Sequence, residues 1–472
     1  MVRYISSLPE KMNSETWVIR RAFTIGVMQF LQSLRHKPTH RQVWSLAGPM
    51  ILSNLTVPLL GMVDTAVVGH LQESHYLGAV AVGAMIFGVV FWGFGFLRMG
   101  TTGLTAQALG ALDYQQVRAL LARALLLALG FAILLILLQA PIADLAFYLM
   151  APSQLVEQYG RTYFSIRIFS APATLANYVI IGWFLGLQNA RIPLLLLLVV
   201  NGTNIVLDVV LVMGLQFTAD GVAWASLTAE YCGVLLGLVL VGNELKKYPG
   251  DWRIATIFER YEFRRLLSVN RDILIRTLCL MFTLAFFTAQ GARMGEVILA
   301  ANAVLFNFQT FMAYGLDGFA HAAEALVGKA TGARDPSALR RSVHVVFFWA
   351  LLISSLFASV YAAAGEALIA LLTDIQQVRQ TAAEYLMWVI VLPLVSVWSF
   401  SFDGIYLGAT RAAEMRNTML ISTLGVFLPA WYLLQGAQNH GLWLAFVLFM
   451  GARALSMACV YGYLQRRGCF VA

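Results

Sequence analysis

Apolar runs long enough to cross a bilayer recur along almost the whole chain, separated by short polar or basic stretches. About 20 such residues suffice for one crossing. Backbone polar groups in hydrocarbon must be paired within their own segment, so each run is predicted to be a helix. The pattern predicts spans near 44–68, 76–97, 118–139, 162–186, 193–214, 221–242, 272–292, 298–325, 343–364, 383–408, 417–435 and 441–464. The expected fold class is therefore all-α integral membrane, with twelve transmembrane helices.

Composition supports this reading. The chain is 60% hydrophobic and 12% charged, with mean hydropathy +0.74, whereas a soluble domain carries about 25% charged residues. The net charge of +8 does not point to nucleic acid, because its distribution follows the spans. With the N-terminus inside, 25 Lys and Arg fall on the inner side, and only Arg161, Arg167, Arg293 and Arg379 on the outer side. Cytoplasmic loops carry this excess, so a multi-pass protein of the plasma (bacterial inner) membrane with both termini cytoplasmic is expected. One miscounted span would destroy the asymmetry.

The other residue types narrow the options. Cys232, Cys279, Cys459 and Cys469 are scattered without a CxxC, and the seven histidines show no ligand spacing. Packing thiols, no structural metal and no cofactor are expected. No HExxH, Walker loop or nucleophile–base constellation argues for an enzyme. Residues 1–42 are polar and basic, unlike a secretory signal. Within them Phe23, Val27, Phe30, Leu31 and Leu34 recur at helical spacing among Arg20, Arg21, Arg35 and Lys37. This stretch is either a helix lying on the anionic inner leaflet or an extension upstream of a later start.

The two halves resemble each other at an offset near 222. TAQALGALD at 105–113 matches VGKATGARD at 327–335, and GWFLGLQNAR at 182–191 matches GIYLGATRAA at 404–413. LGAVAV at 77–82 lies opposite LAANAV at 299–304. The expected units are a basic extension at 1–42, a first lobe at 43–242, a connector at 243–271, a second lobe at 272–465 and a tail at 466–472. An even number of helices per half gives both halves the same orientation. Two six-helix bundles related by a pseudo-two-fold along the membrane normal follow, with a substrate path between them.

Carboxylates at bilayer depth mark candidate chemistry, since each costs at least about 2.5–3.5 kcal/mol. Asp64 lies toward the outer end of the first span, and Asp208 toward the outer end of the fifth. Asn204 shares a face with Asp208, Asn201 lies a turn below, and Ser226 of the sixth span reaches a similar depth. Pro49 and Pro58 interrupt hydrogen bonding in the first span and predict a kink. The group can carry a proton, or bind sodium at Asp64, Asn204 and Asp208. The second-half counterparts are close to Phe287 and Ala430, so the site is confined to the first half. Asn177, Asp317 and Asp403 are further candidate cavity residues, and Glu324, Glu230 and Arg453 weaker ones. The sequence suggests no strong intramembrane Lys/Arg cluster.

LAGPMILSNLTVPLLGMVDTAVVGHL at 46–71 resembles the first helix of the multidrug and toxic compound extrusion (MATE) family. LRMGTTGLTAQALGA, NIVLDVVLVMG, LDGFAHAAEALVGKATGARD and FDGIYLGATRAAEMRN are similar to its DNA-damage-inducible-F branch, from about residue 43 to 465. The resemblance implies a twelve-helix, two-lobed exporter of organic compounds in exchange for protons or sodium. It implies that Asp64 is the cation-coupling residue, that Pro49 is the helix-1 proline, and that Asn204, Asp208 and Ser226 lie near the cation. Leu60 stands where some relatives have a tyrosine, and a helix-7 glutamate of another branch has no match. The expected function is a cation-coupled, proton-driven antiporter of hydrophobic or cationic drugs working by alternating access. The alternative is a flippase for a lipid-linked or amphipathic metabolite. The expected partners are small organic substrates, the coupling cation and the lipid bilayer, with no nucleic acid, and the chain is expected to be a monomer.

Overall fold

The computed structural model describes residues 30–69, 73–468 and 470; within the first long helix it leaves out the side chains at 57–60, 62, 64, 65 and 68. Phe23, Val27 and Cys469 lie outside the described residues. Among the described residues twelve long helices follow in chain order. They are α1 Lys37–Gly69, α2 Ser74–Gly110, α3 Tyr114–Leu137, α4 Gln154–Gly186, α5 Arg191–Gly214 and α6 Ala219–Lys247. The second half holds α7 Arg260–Arg293, α8 Glu296–Gly332, α9 Pro336–Leu372, α10 Gln376–Gly408, α11 at 412–434 and α12 Gln438–Arg466. Among the described residues there is no strand.

Two six-helix bundles repeat one packing scheme. In the first lobe α2 and α3 pack on α4, α5 on α6, and α1 on α5. In the second lobe α8 and α9 pack on α10, α11 on α12, and α7 on α11. The lobes meet chiefly where α8 lies along α1 and crosses α2. Hydropathy found the apolar windows but undershot several helices. The second predicted span ends at residue 97, whereas α2 continues to Gly110. Arg98, read as a loop charge, is an interior residue paired across the lobe boundary. The segment expected as connector carries the end of α6, a helical turn at Ile254–Ile257 and the first turns of α7. Buttressing it from α3, Arg118 donates to Leu245 O at 2.7 Å and Tyr248 O at 2.8 Å. Buried Arg123 donates to Ile257 O at 2.9 Å.

The repeated glycines have a common cause. Gly182 and Gly186 of α4 lie on the backbone of Arg98 and Thr102 in α2. Gly404 and Gly408 of α10 lie on the backbone of Ala320 and Glu324 in α8, each 222 residues further along. At the lobe boundary Gly110 faces Lys329 O, and Gly332 faces Gln107 O, which is the same contact under the pseudo-two-fold. A Cβ at any of these glycines would collide with backbone. Close approach through small residues is how helices associate in lipid, where apolar surface gives no net drive. The crossing seals the two lobes together at the end where α2 and α8 terminate.

The repeated aspartates are helix caps. The Asp113 carboxylate accepts from Gln116 N–H at 3.0 Å. That of Asp335 accepts from Ser337 and Ala338 N–H, both at 2.9 Å. The Ser337 hydroxyl, and then Ala338 N–H, hold the Asp335 carboxyl below the usual carboxylate range. Its capping contribution is therefore present above the unfolded value of about 4 and is lost as pH falls through the lower folded value. Asp335→Ala is expected to cost about 1 kcal/mol at neutral pH. The difference in melting temperature from wild type, measured in detergent, should shrink as pH is lowered to about 3.

Candidate functional site

The first-lobe site rests on α1, α5 and α6. Asn201 of α5 donates to Thr56 Oγ of α1 at 2.9 Å, and Thr56 in turn donates to Ser53 O at 2.7 Å. This bond sets the register of two helices that run the same way. Asp64 is two turns beyond Thr56, and Asp208 two turns beyond Asn201. At 1.5 Å per residue they stand about 12 and about 10 Å past the bond, so their backbones share one level. α1 also touches the π-helical end of α5 at Val209–Gly214, which begins directly after Asp208. Such π segments recur at functional sites because the extra residue re-aims side chains.

Asp208 is fully buried, and Asn204 nearly so. Asn204 donates to Ser226 Oγ of α6 at 3.0 Å. Asn201, Asn204, Asp208 and Ser226 thus form one buried polar column facing α1 and α6. The side chains of Asp64 and Pro58 lie outside the described residues, although α1 is helical through Pro49, Pro58 and Asp64. The helix is not interrupted at either proline. Asn177 is not in this column. It donates to Glu230 Oε2 at 2.9 Å, and Glu230 also pairs with Arg167 at 3.7 Å. A cleft of about 830 Å³ between the far ends of α7 and α11, lined by Phe286, Gln290, Trp431 and Tyr432, contains none of the column residues.

The second lobe holds a different constellation. Asp403 of α10 accepts from Arg276 of α7 and from Arg453 of α12, the latter at 2.8 Å. Toward the lobe boundary, fully buried Glu324 of α8 pairs with Arg98 of α2 at 3.6 Å, and Arg98 also donates to His321 Nδ1 at 3.2 Å. Asp317, two turns up α8 from Glu324, is half-buried in the field of Arg98, Arg276, Arg453 and Asp403. The expectation of no intramembrane basic cluster is corrected here. Arg276 was hidden at the start of an apolar window, and Arg98 behind a span cut short. A carboxylate near one end of the tenth span and two arginines inside the seventh and twelfth were the available signal, because intramembrane charges pair with one another. Arg98, Arg276 and Arg453 are thus each paired with Glu324 or Asp403, and Asp317 makes no ion pair within 4.0 Å among the described residues.

Asp403 is consequently an ion-pair centre. Removing one member of a buried pair leaves the others uncompensated, at about 3–5 kcal/mol. Asp403→Asn is expected to lower the melting temperature in detergent sharply. Replacing Asp403, Arg276 and Arg453 together by Leu, Met and Met should recover much of the loss.

Two pseudo-symmetric six-helix lobes, joined at one end and holding buried ionisable groups, define a multi-pass membrane transporter. The MatE family profile matches residues 49–210 and 273–433, one stretch in each lobe. The chain belongs to the MatE family. It is 47% identical over 445 residues to the DNA damage-inducible protein F of Escherichia coli strain K12, covering 94% of this chain and 96% of that protein. It is 26% identical to a probable multidrug resistance protein NorM of Caulobacter vibrioides, over 64% of this chain and 65% of that one. A solved outward-facing MATE family multidrug resistance transporter of the MOP superfamily superimposes with TM-score 0.80 at 19% identity, covering 92% of this chain and 96% of that chain.

Proposed function

We propose that this transporter is a cation-coupled antiporter, driven by protons, that exports hydrophobic or cationic organic compounds by alternating access. The basic end, sealed here by the α2–α8 crossing, faces the cytoplasm, and the protein resides in the bacterial inner membrane. The observation that carries this reading is the buried column of Asn201, Asn204, Asp208 and Ser226, tied to α1 at the level of Asp64. A carboxylate on α1 beside such a column can exchange a proton, or sodium, for substrate. Its change of charge alters how α1 packs on α5, and the lobes then open at one end or the other. The multidrug name of the Caulobacter relative supports the substrate class.

The flippase alternative calls for a net-basic cavity. Arg98, Arg276 and Arg453 are each ion-paired to a buried carboxylate, Glu324 or Asp403, rather than left free to hold an anionic head group, which favours the antiporter. The test is cation release from proteoliposomes on adding a cationic dye, with proton and sodium indicators read separately. Proton release in step with dye uptake is expected. Dye movement with neither ion would overturn the reading, and lipid-analogue translocation without ion movement would favour the flippase.

A further inference from the structure

At the basic end, the segment preceding α1 folds back onto the start of α9. Phe30 packs edge-on against His344 at 5.4 Å between ring centres. Ser33 Oγ lies 3.1 Å from His344 Nδ1. Further along, Trp349 donates to His40 at 2.9 Å. Between segment and helix lies a cavity of about 370 Å³. Its walls include Ser33 and His36 on one side and Ser337, Arg340, Arg341 and His344 on the other, with no acidic residue among the described residues. A second cavity of about 290 Å³ shares His36 and Arg341 and adds Lys329.

The two guanidiniums are held but not neutralised. Arg340 Nε donates to Pro336 O, and Arg341 Nη1 to Ser337 Oγ, each at 3.2 Å. Neither makes an ion pair within 4.0 Å among the described residues. A carboxylate close by in sequence, Asp335, lines the second cavity and accepts the hydrogen bonds that cap α9. The remaining guanidinium N–H groups of Arg340 and Arg341 belong to a cavity whose described walls offer neutral acceptors but no carboxylate. Geometrically, they suit a tetrahedral anion with several oxygens.

We propose that this cavity binds a phosphate group, and that the phosphate is the head group of an anionic phospholipid. Position and surroundings select the lipid. The cavity lies beside the first turns of α9, and exposed Phe30 and Leu31 on the segment before α1, with exposed Phe348 and Leu352 further along α9, offer apolar surface for acyl chains. Basic pockets between membrane helices hold lipid head groups by the same charge complementarity. The bound phosphate fastens the entry of α1, a first-lobe helix, to α9 of the second lobe. Lipid composition would thereby bear on the helix whose packing the coupling reaction alters.

The experiment titrates the purified full-length protein in detergent with dioleoylphosphatidylglycerol, dioleoylphosphatidylcholine or inorganic phosphate, reading melting temperature. Phosphatidylglycerol should stabilise saturably and phosphatidylcholine should not. The double variant Arg340→Gln/Arg341→Gln should need at least about fivefold more phosphatidylglycerol for half the effect. His36→Gln should weaken it less, and Arg253→Gln, on the exposed connector away from the cavity, should match wild type. Unchanged lipid-free melting will confirm that the variants fold. If millimolar inorganic phosphate reproduces the effect with the same arginine dependence, the phosphate site stands and the lipid source is overturned. Undiminished phosphatidylglycerol stabilisation in the double variant, or no stabilisation by either probe, overturns the site.

Discussion

Replacing Asp64 by Asn is expected to reduce drug-coupled ion movement in proteoliposomes to background while leaving the protein folded and monodisperse. Asn keeps the size and hydrogen-bonding ends of the side chain but removes its change of charge. A charge at bilayer depth is worth about 3 kcal/mol, roughly a hundredfold in a two-state opening equilibrium. Without that difference, the cation has equal affinity for both states and shifts neither. Asp208→Asn should have a smaller effect, because Asp208 belongs to a column that Asn201, Asn204 and Ser226 also sustain. Ion movement at the wild-type rate with wild-type pH dependence in Asp64→Asn would remove Asp64 from the mechanism.

Closure of the basic end should fail when either crossing glycine is enlarged. A valine at Gly110 or Gly332 meets the backbone of Lys329 or Gln107, which has no rotamer with which to yield. Each lobe keeps its internal contacts at Gly182, Gly186, Gly404 and Gly408, so both bundles should still form. Spin labels at exposed Asn243 and Arg466, one per lobe at the basic end, should report a longer separation than in wild type. Transport should fall to background. A wild-type label separation with normal transport would mean that this crossing is not the seal.

Much of the architecture was legible because the bilayer constrains it so strongly. Twelve apolar windows, a one-sided charge count and a single repeat offset led to two like-oriented six-helix lobes. Gly110, Gly182, Gly332 and Gly404 were visible as matches, but their purpose was not: a sequence shows a small residue, not which backbone it admits. The polar residues of α5 and α6 were legible because Asn204, Asp208 and Ser226 are rare in apolar runs. The bond from Asn201 to Thr56 was not, since Thr56 is unremarkable until α1 and α5 are placed in register. Arg98 was misread for the opposite reason, and Arg276 passed unnoticed inside the seventh window. A hydropathy window ends where a charge begins, even when, as at Arg98, that charge is neutralised by Glu324 inside the protein.

The central claim is that the charge on the α1 carboxylate sets which end of the transporter opens. Double electron–electron resonance between labels at Asn243 and Arg466, recorded in nanodiscs as pH is stepped through the transport range, tests it most directly. Wild type should show two separations whose populations exchange with pH, and Asp64→Asn should hold one population throughout. An unchanged wild-type distribution, or the same exchange in Asp64→Asn, would contradict the account.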